Sequence, residues 1–153
     1  MATRGFEFDS MLDRSNATPR QWDFTLGVTA DHLVGDLMVM PSDGYIDAVT
    51  STTTEVTCVL SESVASADVT AGTTKCKGYI ITPNQVWRCS MDAATTALEV
   101  GTKTVDTVDK NTISATDETG GKIILLDVSE LDDDGNVMAK VVFSDVTFGI
   151  QSA

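Results

Sequence analysis

The chain has 153 residues, 42% of them hydrophobic, which is typical of a single globular domain with a real core. Its 23 acidic and 10 basic residues give a formal net charge of −13, so we expect no direct binding to nucleic acid, which needs clustered lysine and arginine. There is no apolar run long enough to cross a bilayer and no apolar secretion signal after Met1, so we expect no membrane association.

Residues 1–21 mix arginine, aspartate, asparagine and proline without a sustained period, and they predict an extended N-terminal arm. The arm contains more large apolar residues than a disordered tail would carry. We therefore expect it to dock on a partner or on a neighbouring subunit. The predicted partner-binding residues are Phe6, Phe8, Met11, Leu12 and, just after the arm, Trp22.

Residues 22–153 predict a single all-β domain, a small antiparallel barrel or sandwich. Threonine and valine dominate, and apolar residues alternate with polar ones, as in "EVTCVL" and "VMAKVVF". Turn signals separate the runs at the short spacing of such folds. The nine predicted strands are Trp22–Val28, Asp36–Met40, Tyr45–Val49, Glu55–Leu60, Lys75–Ile81, Gln85–Met91, Leu98–Val105, Lys122–Val128 and Val137–Phe148.

Two acidic segments lie between the later strands. The segment Val105–Gly121 is typical of a long exposed loop or a mobile edge hairpin. The second, "DDDGN" at 132–136, spaces Asp132, Asp134 and Asn136 like the first ligands of a calcium loop. Its glycine is at the fourth position rather than the sixth, and no glutamate stands at the twelfth. Because two apolar runs flank it, we favour a hairpin turn over a metal site.

The residues that could carry catalysis are few. Cys58, Cys76 and Cys89 form no Cys-x-x-Cys pair, which argues against a zinc site or a disulfide framework and indicates synthesis in a reducing cytoplasm. In strand-like settings we expect them to be small core residues. His32 is the single histidine, and no nucleophile motif accompanies it, so we expect a loop residue. We predict no catalytic residue, metal or cofactor, and hence no enzyme.

The two tryptophans, Trp22 and Trp87, raise the possibility of a sugar-stacking platform. Aromatic residues make up only 6% of the chain, and Trp87 alternates with Cys89 and Met91 on one apolar face. Packing in the core is the favoured interpretation for them.

The order of segments in the first half resembles the small capsid decoration (cement) proteins of tailed bacteriophages. The resemblance rests on "GDLMVM", "DGYIDAVT" and "EVTCVLSES", followed by "VTAGTTKCKGYI". The matching positions are Gly35–Met40, Asp43–Thr50, Glu55–Leu60 and Val69–Ile81, about a third of the chain. Cys58–Leu60 lacks a glycine expected there, and the last third is longer than the simplest members need.

The resemblance implies a structural virion protein on the outer surface of the capsid, made in the cytoplasm of the bacterial host. Its partner would be the major capsid protein, whose neighbouring subunits it would bridge, often as a trimer at three-fold positions. A different interpretation is a fibre adhesion or carbohydrate-binding module that uses Trp87 or the segment Val105–Gly121.

Overall fold

The structure, a computed structural model, describes residues 5–101, 104–118 and 121–146. These residues are almost entirely β, which confirms the predicted fold class, and their only helical segment is a 3-10 turn at Ser66–Asp68. None of them belongs to a helix long and apolar enough to span a membrane. The strands are β1 (Glu7–Met11), β2 (Gln21–Thr25), β3 (Leu37–Val39), β4 (Asp47–Ala48), β5 (Cys58–Leu60), β6 (Lys75–Ile80), β7 (Gln85–Ser90), β8 (Thr104–Val105), β9 (Thr107–Asp109), β10 (Thr112–Ile113), β11 (Ile123–Leu131) and β12 (Val137–Phe143).

The strands form two five-stranded antiparallel sheets and one separate hairpin. Sheet 1 has the order β1-β7-β12-β11-β8, and sheet 2 has the order β2-β6-β5-β3-β4. The strands β9 and β10 form a two-stranded hairpin, and Ile113 of β10 also forms an isolated parallel bridge with Met91, just after β7. Side chains from both sheets share one core, so the domain is a sandwich.

Sheet 2 also curls towards a barrel at one end. Leu26, just after β2, forms a parallel bridge with Ile46, just before β4. The amide of Ile46 donates to the carbonyl oxygen of Thr25 at 2.9 Å, and the amide of Gly27 donates to that of Ile46 at 3.0 Å. These bonds join the two edges of the sheet at that end.

Successive side chains of a strand point to opposite faces of the sheet. The apolar side chains of sheet 2 therefore pack into two separate cores, one on each face. Leu37 and Val59 face sheet 1 and pack with Trp87. Their chain neighbours Met38 and Cys58 belong to a second cluster inside the curled sheet. Sheet 2 therefore has an apolar core on each of its two faces.

Each of the nine predicted strands overlaps an observed one, and the main differences are in length. The strand predicted at Leu98–Val105 is reduced to β8, and that at Tyr45–Val49 to β4. The prediction Val137–Phe148 extends past the end of β12 at Phe143, and its last two residues lie outside the described part of the chain.

The first half of the predicted arm is an integral strand of the domain. Residues 1–4 lie outside the described residues, but β1 pairs with β7 along its whole length, with a bulge between Phe8 and Ser10. The Phe6 side chain is only 2% exposed and stacks at 5.5 Å on Phe143. Phe6 and Phe8 both pack against this chain's own core, so neither needs contacts with a neighbouring subunit.

The acidic segment Val105–Gly121 is a hairpin, one of the two forms predicted, but it is not an exposed edge. Residues 119 and 120 lie outside the described part. Most of the hairpin is buried: Asp106, Thr107, Thr112, Ser114 and Ala115 are each at most 8% exposed, and Ile113 is 0% exposed. The tip residue Lys110 forms an ion pair of 3.0 Å with the buried Asp36, and its carbonyl accepts from the amide of Leu37 at 2.7 Å. These contacts tie the hairpin to sheet 2.

Candidate functional site

The edges of the two sheets meet on one side of the sandwich. β1 ends sheet 1, β2 ends sheet 2, and residues 12–20 connect them. We call the surface of β1, residues 12–20 and β2 the edge face. Unlike a closed barrel, a sandwich keeps such edges, and natural proteins either protect them or use them for pairing with partners.

An open groove of about 580 Å³ lies between the two edges. Its walls include Phe8 from β1, Tyr79 from β6 and the edge of Trp87 from β7, with Val34 and Pro19 nearer the rim. The lining exposes more apolar than polar surface, and no residue of it is a lysine or an arginine. The groove can accept an apolar side chain or a short extended segment.

Next to this groove, Trp22 stands on the outer part of β2 with 58% of its surface exposed. Its partner in the ladder is Gly78 of β6, which offers no side chain to cover the indole. A shallow depression of about 480 Å³ is lined by Trp22 with Gln21 and Asp23 of β2 and with Lys75 and Lys77 of the neighbouring β6. Its lining combines one aromatic residue with polar groups and charges of both signs.

The five predicted partner-binding residues divide into two groups. All belong to the edge face or lie directly beside it, but Phe6 is buried and Phe8 packs edge-on against Trp87. Met11 is half-buried and lines a third, smaller depression beside Arg20 and Gln85. Leu12, at 52% exposure, and Trp22 are the two residues of this set whose side chains are largely exposed. Of the predicted set, these two can reach a partner without any change in the fold.

Trp87 is 0% exposed, as predicted for a core residue, so it cannot provide a sugar platform. Its indole Nε1 donates to the side-chain oxygen of Gln85 at 3.2 Å, which satisfies its single polar atom. Of the two tryptophans, only Trp22 is exposed enough to stack on a sugar ring.

The three cysteines are free and fully buried, as predicted. Burial raises the pKa of each thiol, because the thiolate loses its hydration. For Cys76, where burial is followed by the charges of Glu62 and Asp36, the pKa rises to about 11. The pKa values of Cys58 and Cys89 rise further for the same first reason. All three thiols are protonated at neutral pH and so are poor nucleophiles and metal ligands.

His32 lies in a short backbone bridge with Val64 and is 1% exposed. Its Nε2 is 3.0 Å from the carbonyl oxygen of Val28, and its Nδ1 has no hydrogen-bond partner in the structure. Within the described part of the chain, neither nitrogen is hydrogen-bonded to a serine or cysteine side chain.

The segment at 132–136 is a hairpin turn, as predicted. Gly135 has a φ of 82°, and the amide of Asp132 donates to the carbonyl of Asn136 at 2.8 Å, which closes the turn between β11 and β12. One carboxylate oxygen of Asp132 accepts from the amides of Asp134 and Asn136, both at 2.9 Å. Across residues 5–101, 104–118 and 121–146, no group of three or more histidine, cysteine or acidic side chains could hold a metal ion.

One chemically notable pair was not foreseen from the sequence. Lys122 and Asp106 are buried together, with side-chain exposures of 0% and 4%, and Nζ lies 2.5 Å from Oδ1. A pattern of polar residues cannot reveal such a pair, because the register of β8 against β11 brings the two side chains together. The hint available was an acidic residue and a lysine that each directly flank a short apolar run.

The comparisons with known proteins complete the description of this site. No protein-family model, no curated protein and no solved structure matches the chain.

Proposed function

We propose that this protein is a structural virion protein that binds the outer surface of a tailed-phage capsid and stabilises contacts between major capsid subunits. The proposal combines the resemblance of its segments to decoration proteins with the geometry of the edge face. The segments Gly35–Met40, Glu55–Leu60 and Val69–Ile81 contribute β3, β5 and β6 of sheet 2. Sheet 2 is thus the part of the fold that carries the resemblance.

The observation that carries the proposal is the exposure of Trp22 and Leu12 beside an apolar groove on the edge face. Tryptophan is enriched among the residues that dominate the affinity of protein interfaces. An indole buries about 150–250 Å². Because Trp22 is 58% exposed, covering it at about 25 cal/mol per Å² contributes about 2–3 kcal/mol before the cost of association.

Such a contribution is modest for one copy, but a shell binds many copies. Each copy that bridges two capsid subunits would add its interface to the joint between them. The charge of −13 suits an outer position that faces solvent, and it keeps free subunits apart before assembly. The proposal includes a trimer as the bound form, synthesis in the bacterial cytoplasm and a final location on the capsid exterior, and it assigns the protein no catalytic role.

The test is co-sedimentation of the purified protein with expanded capsids assembled from the major capsid protein of the phage that encodes it. We expect saturable binding to assembled shells and no binding to free capsid subunits. The shells should also withstand heating better when decorated. If the wild-type protein stays in the supernatant at micromolar concentration, the proposal is wrong.

Trp22 also favours a second candidate, a carbohydrate-binding module of a phage fibre. Trp22 lines one depression together with Gln21, Asp23 and Lys77, and sugar sites often combine an aromatic residue with such hydrogen-bonding groups. A glycan array probed with the isolated protein distinguishes the two candidates. Binding to one glycan class that Trp22→Ala abolishes, without any binding to capsids, would establish the second.

A further inference from the structure

The interior pair of Lys122 and Asp106 has no part in the proposed function, yet its chemistry is unusual. Lys122 leads into β11, and Asp106 separates β8 from β9. The flanking residues Val105 and Ile123 are both 0% exposed. A lysine and an aspartate are rarely buried completely unless something compensates for the loss of hydration.

If Lys122 and Asp106 form an ion pair, the ammonium has too few hydrogen-bond acceptors. An ammonium has three N–H groups to donate. The Nζ of Lys122 reaches Oδ1 of Asp106 at 2.5 Å and the carbonyl oxygen of Thr50 at 3.4 Å. An amide nitrogen has a single N–H, and the Thr50 carbonyl would be enough to accept it. The surroundings thus fit a neutral amide better than they fit an ammonium.

Both backbones are held in place, so the two side chains meet in one geometry. The amide of Lys122 donates to the carbonyl of Val105 at 3.1 Å, and its carbonyl accepts from Ser144 at 2.9 Å. The amide of Asp106 donates to the carbonyl oxygen of Asp117 at 3.1 Å, and the carbonyl oxygen of Asp106 accepts from the amide of Ser114 at 3.0 Å. The Cγ carbon of Asp106 is one bond from Oδ1, which places Nζ near the separation of about 3–3.5 Å from which bond formation begins.

The site also provides a donor for the oxygen of the carboxyl group. The backbone N–H of Thr107 donates to the same Oδ1 at 2.7 Å. Once Oδ1 carries the transferred proton, a donor in this position polarises the Cγ–Oδ1 bond and helps Oδ1 to leave after Nζ adds to Cγ.

From this geometry we propose that Lys122 and Asp106 condense to an intramolecular isopeptide bond. One proton passes from the ammonium to the carboxylate along their hydrogen bond, which leaves a neutral amine and a neutral acid. The Nζ lone pair adds to Cγ, and one C–O bond then breaks. That oxygen leaves as water with the acid proton and one amine proton, and the product is an amide with one N–H.

Burial favours the product. The water that is released leaves the enclosed site, and bulk water has little access for the reverse hydrolysis. The new bond would link residues 16 positions apart and staple the β9–β10 hairpin to the start of β11. A protein whose task is mechanical gains from such a link, but the chemistry does not depend on the capsid proposal.

The intact mass of the purified folded protein tests the inference. We expect a mass lower than that of the sequence by one water molecule, after allowance for removal of Met1. Tryptic digestion should give the segment 104–110 joined to 111–140, without cleavage after Lys122, because acylated lysine is not a trypsin site. Tandem mass spectrometry of the joined peptide should place the link at Asp106 and Lys122.

The control is Asp106→Ala, which retains Lys122 but has no carboxyl group at position 106. It should show the full sequence mass whether or not it folds well. A loss of water that persists in this variant would come from elsewhere in the chain, such as Asp43–Gly44, and would refute the inference. A wild-type protein with its full mass and free cleavage after Lys122, even after long incubation at growth temperature, would refute it equally and leave the pair as an ion pair.

Discussion

The ring of Phe8 stands edge-on against the indole of Trp87, with 5.6 Å between the ring centroids and 76° between the planes. The two residues are also directly paired in the ladder between β1 and β7. This contact joins the N-terminal strand to the centre of the core, and it shows why the strand belongs to the domain. Aromatic pairs of this geometry add about 0.5–1.5 kcal/mol to the free energy of their burial.

The first prediction concerns this contact. Phe8→Ala removes the aromatic pair and part of the groove wall, and it should lower the free energy of unfolding by about 2–4 kcal/mol. Urea denaturation followed by the fluorescence of Trp87 measures the change. Leu12→Ala, four residues along the chain but 52% exposed, is the matched control and should change stability by less than about 0.5 kcal/mol. Equal stability of both variants would mean that β1 is not docked in solution.

The second prediction separates binding from folding at the edge face. Trp22→Ala should weaken binding to capsids by roughly tenfold to a hundredfold, the range for a tryptophan at the centre of an interface. It should leave the melting temperature nearly unchanged because more than half of the side chain is already in water. Leu131→Ala is the control: Leu131 is 61% exposed but on β11, three strands from the β1 edge. A loss of binding in the control and not in Trp22→Ala would move the interface away from the edge face.

The third prediction concerns the close approach between β6 and the second core. A Cβ atom at Gly78 would lie 3.0 Å from Sγ of Cys58 and 3.3 Å from Cδ2 of Phe24. Both neighbours are buried, so Gly78→Ala should destabilise the protein by about 1–3 kcal/mol through overpacking. Gly135→Asn at the β11–β12 turn is a useful comparison, since the site is open and asparagine tolerates its positive φ. A smaller cost at Gly78 than at Gly135 would mean that the second core is loosely packed.

The fourth prediction follows from the raised pKa values of the thiols. A raised pKa keeps the thiol protonated until the pH approaches the new value, and only the thiolate attacks alkylating reagents. At pH 8 the folded protein should therefore resist iodoacetamide at Cys58, Cys76 and Cys89, whereas all three should react in guanidinium chloride. As the pH rises towards about 11, Cys76 should be the first to react, because its pKa is raised the least. Rapid labelling of the native protein at pH 8 would contradict this order.

The parts of the fold that follow local rules were predictable. Alternation in "QVWRCSM" placed Trp87 and Cys89 on one buried face, and the Asp-Gly-Asn signal gave the turn between β11 and β12. β1 was missed even though Phe6 and Phe8 alternate with Glu7 and Asp9, because the surrounding charges and the terminal position favoured an arm. A short strand of this kind is stabilised by its neighbour β7, not by its own pattern.

The candidate sites were less accessible to sequence reasoning. Trp22 was predicted as a partner-binding residue, but no local pattern shows that its neighbour on the adjacent strand is Gly78, which has no side chain. The pair of Lys122 and Asp106 was even harder to predict from the sequence. Each residue alone predicts a solvated surface, and only the register between β8 and β11 turns the two into a buried pair.

The order of strands in sheet 1 has a consequence for synthesis of the protein. Sheet 2 is drawn entirely from residues 21–80, so a ribosome that has released this region has delivered every one of its strands. In sheet 1, β12 lies between β7 and β11, and it ends only at Phe143. The pair of β1 and β7 therefore stays separate from β11 until residues up to Phe143 have emerged, and β12, which joins the two halves, is the last of the described strands to be made.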